Sequence, residues 1–121
     1  MATKTFYGVV QPVLAAGSYT GTTPKILEEG RESRKLASDY GIMLENGNSS
    51  EIGSDYQGTI LYEKLAGIIH AWAQKQTNLD TLEQNIKDIL KASSLSFEII
   101  DKGYEINNNN YELMLQVEVL T

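Results

Sequence analysis

The strongest constraint on how this chain folds is one apolar stripe between Asn78 and Ala92. Its members recur at steps of three and four: Leu79, Leu82, Ile86, Ile89 and Leu90. Residues at this spacing share one face of an α-helix, and that face has to pack against another element. Asn78 or Asp80 offers a cap, and Asp80 with Glu83 has the spacing of a capping box. We therefore predict an amphipathic helix over about residues 78–92.

The residues after this helix indicate two antiparallel strands. Tyr111 to Leu120 (YELMLQVEVL) alternates apolar and polar positions, which is typical of a half-buried strand. Leu95 to Ile100 (LSFEII) is the preceding strand, and Asp101 to Asn110 is a turn region that ends in four asparagines. Tyr104 to Ile106 offers an alternative extension of the hairpin. Asn107 to Asn110 supply its tip, because asparagine tolerates left-handed backbone angles.

Two further strands are predicted before the helix. Ala37 to Glu45 places Tyr40, Ile42 and Leu44 on one face. The run from Gly58 to Ala73 is favoured as a strand over a helix by its β-branched and aromatic residues. Its length suggests a bulge or bend, for which Gly67 is the natural place. Between the two strands, the polar residues 46–57 predict a mobile loop.

The first 36 residues fit two interpretations. Helical spacing links the apolar residues Phe6, Val9, Val10, Val13 and Leu14, whereas Gly8 and Pro12 argue against a stable helix. A short N-terminal helix is the favoured interpretation, with a strand as the alternative. A Gly/Thr linker and a short extended piece at Pro24 to Glu28 follow. These elements predict a single α+β domain, residues 1–121, with a small mixed or antiparallel sheet and the main helix packed on one face.

The charge of the chain argues against several classes of protein. Ten Lys and Arg stand against 16 Asp and Glu, for a net charge of −6, which disfavours binding to a phosphate backbone. The absence of cysteine excludes disulfides, thiolate nucleophiles and cysteine-based zinc sites. Gln11 and Pro12 interrupt the only stretch that resembles a signal peptide, and no apolar run is long enough to span a membrane. We therefore expect a soluble protein of the cytoplasm.

No motif in the sequence predicts catalysis. His70 is the only histidine, and no partner stands at metal-ligand spacing from it, so a packed or interface histidine beside Trp72 on one strand face is expected. The carboxylates Glu28, Glu29, Glu32 and Asp39 fit a solvated face. No nucleophile elbow, phosphate-binding loop or calcium loop occurs. We expect no enzyme activity, no metal and no cofactor.

Seven tyrosines are spread along the chain. Tyrosine is enriched at protein interfaces because it offers large contact area at low entropic cost. Core packing accounts for about half of such a set, and the others would suit contacts between subunits. The composition thus favours a protein that assembles over one that reacts.

The element order from Ala37 resembles that of the tail-terminator, or tail-completion, proteins of long-tailed bacteriophages. The most similar part runs from Gly58 to Thr121, through IIHAWA, TNLDTLEQNIKDILKA and GYEINNNNYELMLQVEV. The resemblance covers about two-thirds of the chain and is one of element order and hydrophobic pattern. Members of that family usually open with an uninterrupted helix, whereas this chain has Gly8 and Pro12.

The resemblance implies a structural virion protein, assembled in the cytoplasm of the host bacterium. Its partners would be further copies of itself in a ring, commonly a hexamer, the tail tube protein and the head-completion or connector protein. DNA would pass through the ring only as cargo, and neither a membrane nor a small-molecule substrate would be involved. Heterologous contacts around a closed ring would hold the assembly together.

The same resemblance assigns roles to polar residues. The candidate axial surfaces of the ring are the predicted loop and the hairpin tip, with Asn46, Asn48, Glu51, Asp55, Tyr56, Asn107, Asn108, Asn109 and Asn110. The candidate lumen residues, which would keep DNA from adhering, are Glu45, Glu51 and Asp55. Two alternatives remain: another neck or head-closure protein, and a small acidic binding module of the immunity or antitoxin kind that meets a cationic partner.

Overall fold

The computed structural model describes residues 4–33, 39–54, 60–107 and 110–121, with the side chains of 49–54, 60–62 and 107 left out. Its elements follow in the order α1 (Phe6–Ala16), β1 (Lys25–Glu28), β2 (Tyr40–Ser54), β3 (Ile60–Ala73), α2 (Gln76–Ala92), β4 (Ser96–Asn107) and β5 (Asn110–Leu120). The α+β class predicted from the sequence is confirmed.

The strands form one five-stranded sheet in the order β1-β2-β3-β5-β4. β1 runs parallel to β2, and the other neighbours are antiparallel, so the sheet is mixed. The parallel pair joins Lys25–Glu28 of β1 to Gly41–Leu44 of β2 in register. The short extended piece predicted at Pro24 to Glu28 is this edge strand.

Both helices pack on one face of the sheet, where they enclose the main hydrophobic core. From α2, the core takes the predicted stripe members Leu79, Leu82, Ile86 and Leu90, with Ile89 packed at its margin. From the sheet it takes alternate residues of β2, β3 and β5, because successive side chains of a strand point to opposite faces. A smaller cluster of Leu27, Met43 and Trp72 lies on the other face, which we call the second face.

The N-terminal apolar residues form a helix, α1, which confirms the short N-terminal helix that was favoured over a strand. Phe6, Val10 and Leu14 are buried, and the Thr5 hydroxyl caps the helix by accepting a hydrogen bond from the Gly8 N–H at 3.0 Å. Pro12 lies inside the helix. It leaves one turn without a backbone donor, but the packing of three apolar side chains holds the helix in place.

The long hairpin of β2 and β3 carries the bulge expected near Gly67, but on the opposite strand. Asn46 pairs with Gly67 and Ser49 with Leu65, so the extra residue lies in β2. Gly47 sits in this bulge, where an added Cβ would lie 2.7 Å from the Ala66 carbonyl oxygen. The close approach of the two backbones explains the need for glycine there.

Several predicted boundaries were wrong. The predicted mobile loop 46–57 is strand from Asn46 to Ser54, because these polar residues pair with β3; residues 55–57 lie outside the described residues. The predicted turn region from Asp101 is strand as far as Asn107, in agreement with the extension at Tyr104 to Ile106.

The main helix is confirmed over Gln76–Ala92, but its predicted start was wrong. Lys75 takes the cap position without a side-chain hydrogen bond. Asp80 lies one turn inside the helix and accepts a hydrogen bond from the Gln76 side chain at 2.8 Å. In the described part of the chain, no helix is both long and apolar enough to cross a membrane.

Candidate functional site

The first candidate site is the outer side of β4, which we call the β4 edge. One side of β4 pairs with β5, and no strand within the described residues pairs with its other side. This edge strand carries several large exposed apolar side chains: Ile99, Ile100, Tyr104 and Ile106. Ile106 is 73% exposed and Tyr104 is 52% exposed. An exposed apolar edge strand is a template for pairing with another chain.

Tyr104 differs in its exposure from the other tyrosines whose side chains the structure describes. Tyr7, Tyr19, Tyr40 and Tyr111 pack against the main core. The Tyr104 ring is exposed on β4, although its hydroxyl contacts a buried carboxylate. An exposed aromatic ring with a fixed hydroxyl is well suited to a contact between proteins.

Glu83 holds the β4 edge against α2. Its carboxylate accepts hydrogen bonds from Tyr104 at 2.5 Å and Lys87 at 2.6 Å, and Lys102 lies 3.5 Å away. Burial of the Glu83 carboxyl raises its pKa, but the hydrogen bonds from Lys87 and Tyr104, with the charges of Lys87 and Lys102, outweigh burial and leave the pKa below its ordinary value. The exposed strand is therefore anchored to the helix by a charged side chain.

A second edge is available at the other end of the sheet. β1 pairs with β2 only from Gly41 to Leu44. Beyond Leu44, no strand among the described residues pairs with the outer side of β2, which continues to Ser54. The described part of the sheet thus has two unlike edges that could each accept a further strand.

The strand ends that lead into the two hairpin connections lie at opposite ends of the sheet. Near the β4–β5 turn, Tyr111 pairs with Ala73, which pairs with Tyr40 at the start of β2. At the opposite end, β5 stops opposite Lys64, and the pairs from Ile52 to Ser54 with β3 extend beyond it. The β2–β3 hairpin therefore projects past the rest of the sheet.

A second candidate site lies on the second face, and we call it the acid–histidine cluster: Glu29, Glu45, His70 and Glu112. The Nε2 atom of His70 lies 2.9 Å from Glu45 Oε1 and 4.0 Å from Glu29 Oε2. Its Nδ1 atom lies 3.3 Å from Glu112 Oε2. His70 is 9% exposed and Glu112 is 5% exposed, whereas the side chains of Glu29 and Glu45 are 48% and 40% exposed.

Strand register brings the members of the acid–histidine cluster together. His70 pairs with Met43 on β2 and with Met114 on β5. Glu45 follows Met43 by two residues and Glu112 precedes Met114 by two, so both lie on the same face as His70 and within its reach. Glu29 follows β1, where its N–H donates to the Leu44 carbonyl at 3.0 Å and places its side chain beside Glu45.

Electrostatics in the cluster favour a positive charge between the carboxylates. The hydrogen bond with His70 lowers the pKa of Glu45, the hydrogen bond with Glu29 lowers it further, and burial opposes both. Carboxylates only accept hydrogen bonds, and a neutral imidazole has one donor nitrogen. A neutral imidazole at His70 can therefore donate a hydrogen bond to only one of its two carboxylate neighbours, Glu45 and Glu112.

The candidate interface and lumen residues predicted from the sequence lie at several separate places in the structure. Asn46 ties β2 to its neighbours, because its Oδ1 accepts from the Tyr7 N–H at 2.8 Å and its Nδ2 donates to Glu28 at 3.1 Å. Asn48 is exposed in the bulge, and Glu51 pairs with Glu63 in the projecting hairpin. Glu45 belongs to the acid–histidine cluster. The ends of β4 and β5 pair through Asn107 and Asn110.

Four of the selected residues, Asp55, Tyr56, Asn108 and Asn109, lie outside the described residues. The acid–histidine cluster was not predicted as a site, because the partners of His70 stand 25 and 42 positions away in sequence. No clear signal for the site was present in the sequence, because Glu112 occupies one of the alternating polar positions of β5, as Gln116 and Glu118 do.

Comparison with known proteins gave no assignment. No protein-family model matches the chain, and no curated protein sequence matches it significantly.

Proposed function

We propose that this chain is a tail terminator of a tailed bacteriophage, a structural virion protein that forms a ring on the tail tube and joins it to the head connector. The observation that carries the proposal is the pair of unlike sheet edges on one protomer, the β4 edge and the outer side of β2 beyond Leu44. Two different edges allow a heterologous, head-to-tail contact, which is the kind that closes into a ring.

The β4 edge supplies the apolar part of this contact. Ile99, Ile100, Tyr104 and Ile106 lie along one edge strand, and a neighbouring copy that pairs with β4 would cover part of each. Each fully buried side chain of this kind contributes about 1.5–3 kcal/mol. The second edge offers the backbone groups of β2 from Glu45 to Ser54 for strand addition.

The direction of the hairpins supports two axial contacts. The β2–β3 hairpin projects at one end of the sheet, and the β4–β5 turn lies at the other. In a ring whose sheet stands along the axis, one hairpin would meet the tube protein and the other the connector. The acidic balance of the chain would let DNA pass as cargo without adhering.

Native mass in solution tests the ring. Light scattering with negative-stain images of the same fraction is expected to give ring-shaped particles. Six copies of a 13.4 kDa chain correspond to roughly 80 kDa. Where the protein is a monomer, purified tail tubes with their tube protein are added, and assembly on the tube is expected. A monomer that ignores tubes contradicts the proposal and favours the acidic binding module, whose test is addition of a cationic partner.

A charge on the β4 edge is expected to stop assembly. Ile106→Lys places an ammonium where the neighbouring copy would pack, and the 73% exposure of Ile106 means that folding of the protomer is little affected. The matched control is Gln84→Lys, which makes the same charge change on an exposed position of α2. Rings that form equally well with Ile106→Lys would show that the β4 edge is not the subunit contact.

A further inference from the structure

We propose that Glu29, Glu45 and His70 bind one divalent transition-metal ion, with Glu112 positioning the imidazole. The three ligand atoms all lie within 4.8 Å of one another. They come from three places in the fold: the residue after β1, the first half of β2 and the second half of β3. This proposal departs from the expectation of no metal that the sequence alone suggested, and it is independent of ring formation.

The distances fit a small metal ion. Zn²⁺ binds imidazole nitrogen and carboxylate oxygen at about 2.0–2.2 Å, which places neighbouring ligands of a tetrahedral site about 3.4 Å apart. His70 Nε2 lies 2.9 Å from Glu45 and 4.0 Å from Glu29, so the observed spacings bracket that value. The side chains of Glu29 and Glu45 are 48% and 40% exposed, so a small rotamer change can bring their oxygens to metal distance, whereas burial holds His70 in place.

Glu112 gives the imidazole the tautomer that a metal needs. It is buried on β5, and its Oε2 lies 3.3 Å from Nδ1 of His70, where it would accept a hydrogen bond from the Nδ1–H of the metal-bound imidazole. The Nε2 lone pair then points toward Glu45 and Glu29. A carboxylate on the far nitrogen of a ligating histidine fixes the ring and raises its basicity, which is the usual arrangement in metal sites.

The donor set selects the class of metal. One imidazole with two carboxylates is a mixed nitrogen and oxygen set, which suits Zn²⁺, Mn²⁺ or Fe²⁺ better than the all-oxygen sets of Ca²⁺ and Mg²⁺. The exposed side of the cluster, beside Glu29 and Glu45, leaves room for water to complete the coordination. Zn²⁺ is the probe for affinity, and Co²⁺ is the probe for geometry, because its visible spectrum reports the coordination.

Titration of the full chain with zinc chloride, followed by calorimetry, tests the proposal. One saturable Zn²⁺ per chain is expected. His70→Gln and Glu45→Gln are each expected to weaken binding by about 100-fold or more, and Glu112→Gln by about 10–100-fold with the Co²⁺ spectrum retained. Glu98→Gln, an exposed change of the same charge on β4, is the matched control and is expected to leave the affinity within about 2-fold.

Circular dichroism of each variant separates loss of the site from loss of the fold. Glu45→Gln keeps the test valid even where His70→Gln does not fold, because the Glu45 side chain is 40% exposed. Two results would overturn the proposal. One is the absence of saturable Zn²⁺ binding by the native chain, and the other is binding that survives unchanged in Glu45→Gln and His70→Gln.

Discussion

Gly67 shows how one residue decides whether α1 can dock on the sheet. A Cβ at this position would lie 2.3 Å from the Phe6 ring and 2.6 Å from the Glu45 carbonyl oxygen. Phe6 is 2% exposed, so its ring fills the space that the missing side chain leaves. The glycine therefore links the packing of the first helix to the strand that carries His70.

Gly67→Ala is expected to lower the free energy of unfolding by about 1–3 kcal/mol, because the ring of Phe6 must move out of a close-packed site. Chemical denaturation measures the loss. Gly103→Ala is the matched control, since the nearest atom to its Cβ would be Met114 Cε at 3.8 Å. Its effect is expected to stay within about 0.5 kcal/mol. Equal losses in the two variants would contradict this account of Gly67.

At the scale of elements, α2 and β4 are coupled by Glu83. The carboxylate is buried on the helix, and its partners are Lys87 on the same helix and Lys102 and Tyr104 on the strand. An edge strand has backbone support on one side only, so a side-chain anchor from the helix matters more here than within the sheet. The same anchor fixes Tyr104 in the proposed subunit contact.

Glu83→Gln is expected to cost about 1–2 kcal/mol of unfolding free energy at pH 7, because it weakens charge-assisted hydrogen bonds. The folded-state pKa of Glu83 is lowered, so its contribution is present above the unfolded-state pKa and is lost as the pH falls through the folded-state pKa. Chemical denaturation at pH 7 and at pH 3 measures this. The difference in unfolding free energy between Glu83→Gln and the native chain is expected to be smaller at pH 3 than at pH 7. Glu98→Gln serves again as the control. A difference in unfolding free energy that is larger at pH 3 than at pH 7 would contradict the anchoring role of Glu83.

At the scale of the whole molecule, the net charge bears on the proposal that DNA passes through the ring. A net charge of −6 on 121 residues repels a phosphate backbone unless cations gather on one face. Within the described residues, Lys64, Lys87 and Lys102 each pair with a carboxylate. This pairing agrees with the proposal that DNA would pass through the ring without adhesion.

We expect no binding of duplex DNA even at low ionic strength, where electrostatic attraction is strongest. Fluorescence anisotropy of a labelled duplex, titrated with the protein in its monomeric and assembled states, measures this. A basic DNA-binding protein under the same conditions shows that the assay responds. Saturable, salt-sensitive binding by either state would argue against DNA as passing cargo.

Local sequence patterns were enough to predict the main helix and the last strand. The stripe of α2 and the alternation of β5 are read from neighbours in sequence, and both survive in the structure with their buried faces as predicted. The ends of the helices and strands were harder to predict from the sequence. Residues 46–54 look like a polar loop, and the first part of Asp101 to Asn110 like a turn, because nothing in their composition shows that β3 and β5 lie beside them.

The sequence by itself determined the α+β class, the apolar face of the main helix and the alternation of the last strand, because helical and strand periodicities are local properties of the chain. The tertiary structure alone decided strand length, the position of the bulge and the union of Glu29, Glu45, His70 and Glu112. Those features depend on register, since one residue of slip moves every side chain of a strand to the other face. Register is set only when distant segments pair and bury their apolar faces together.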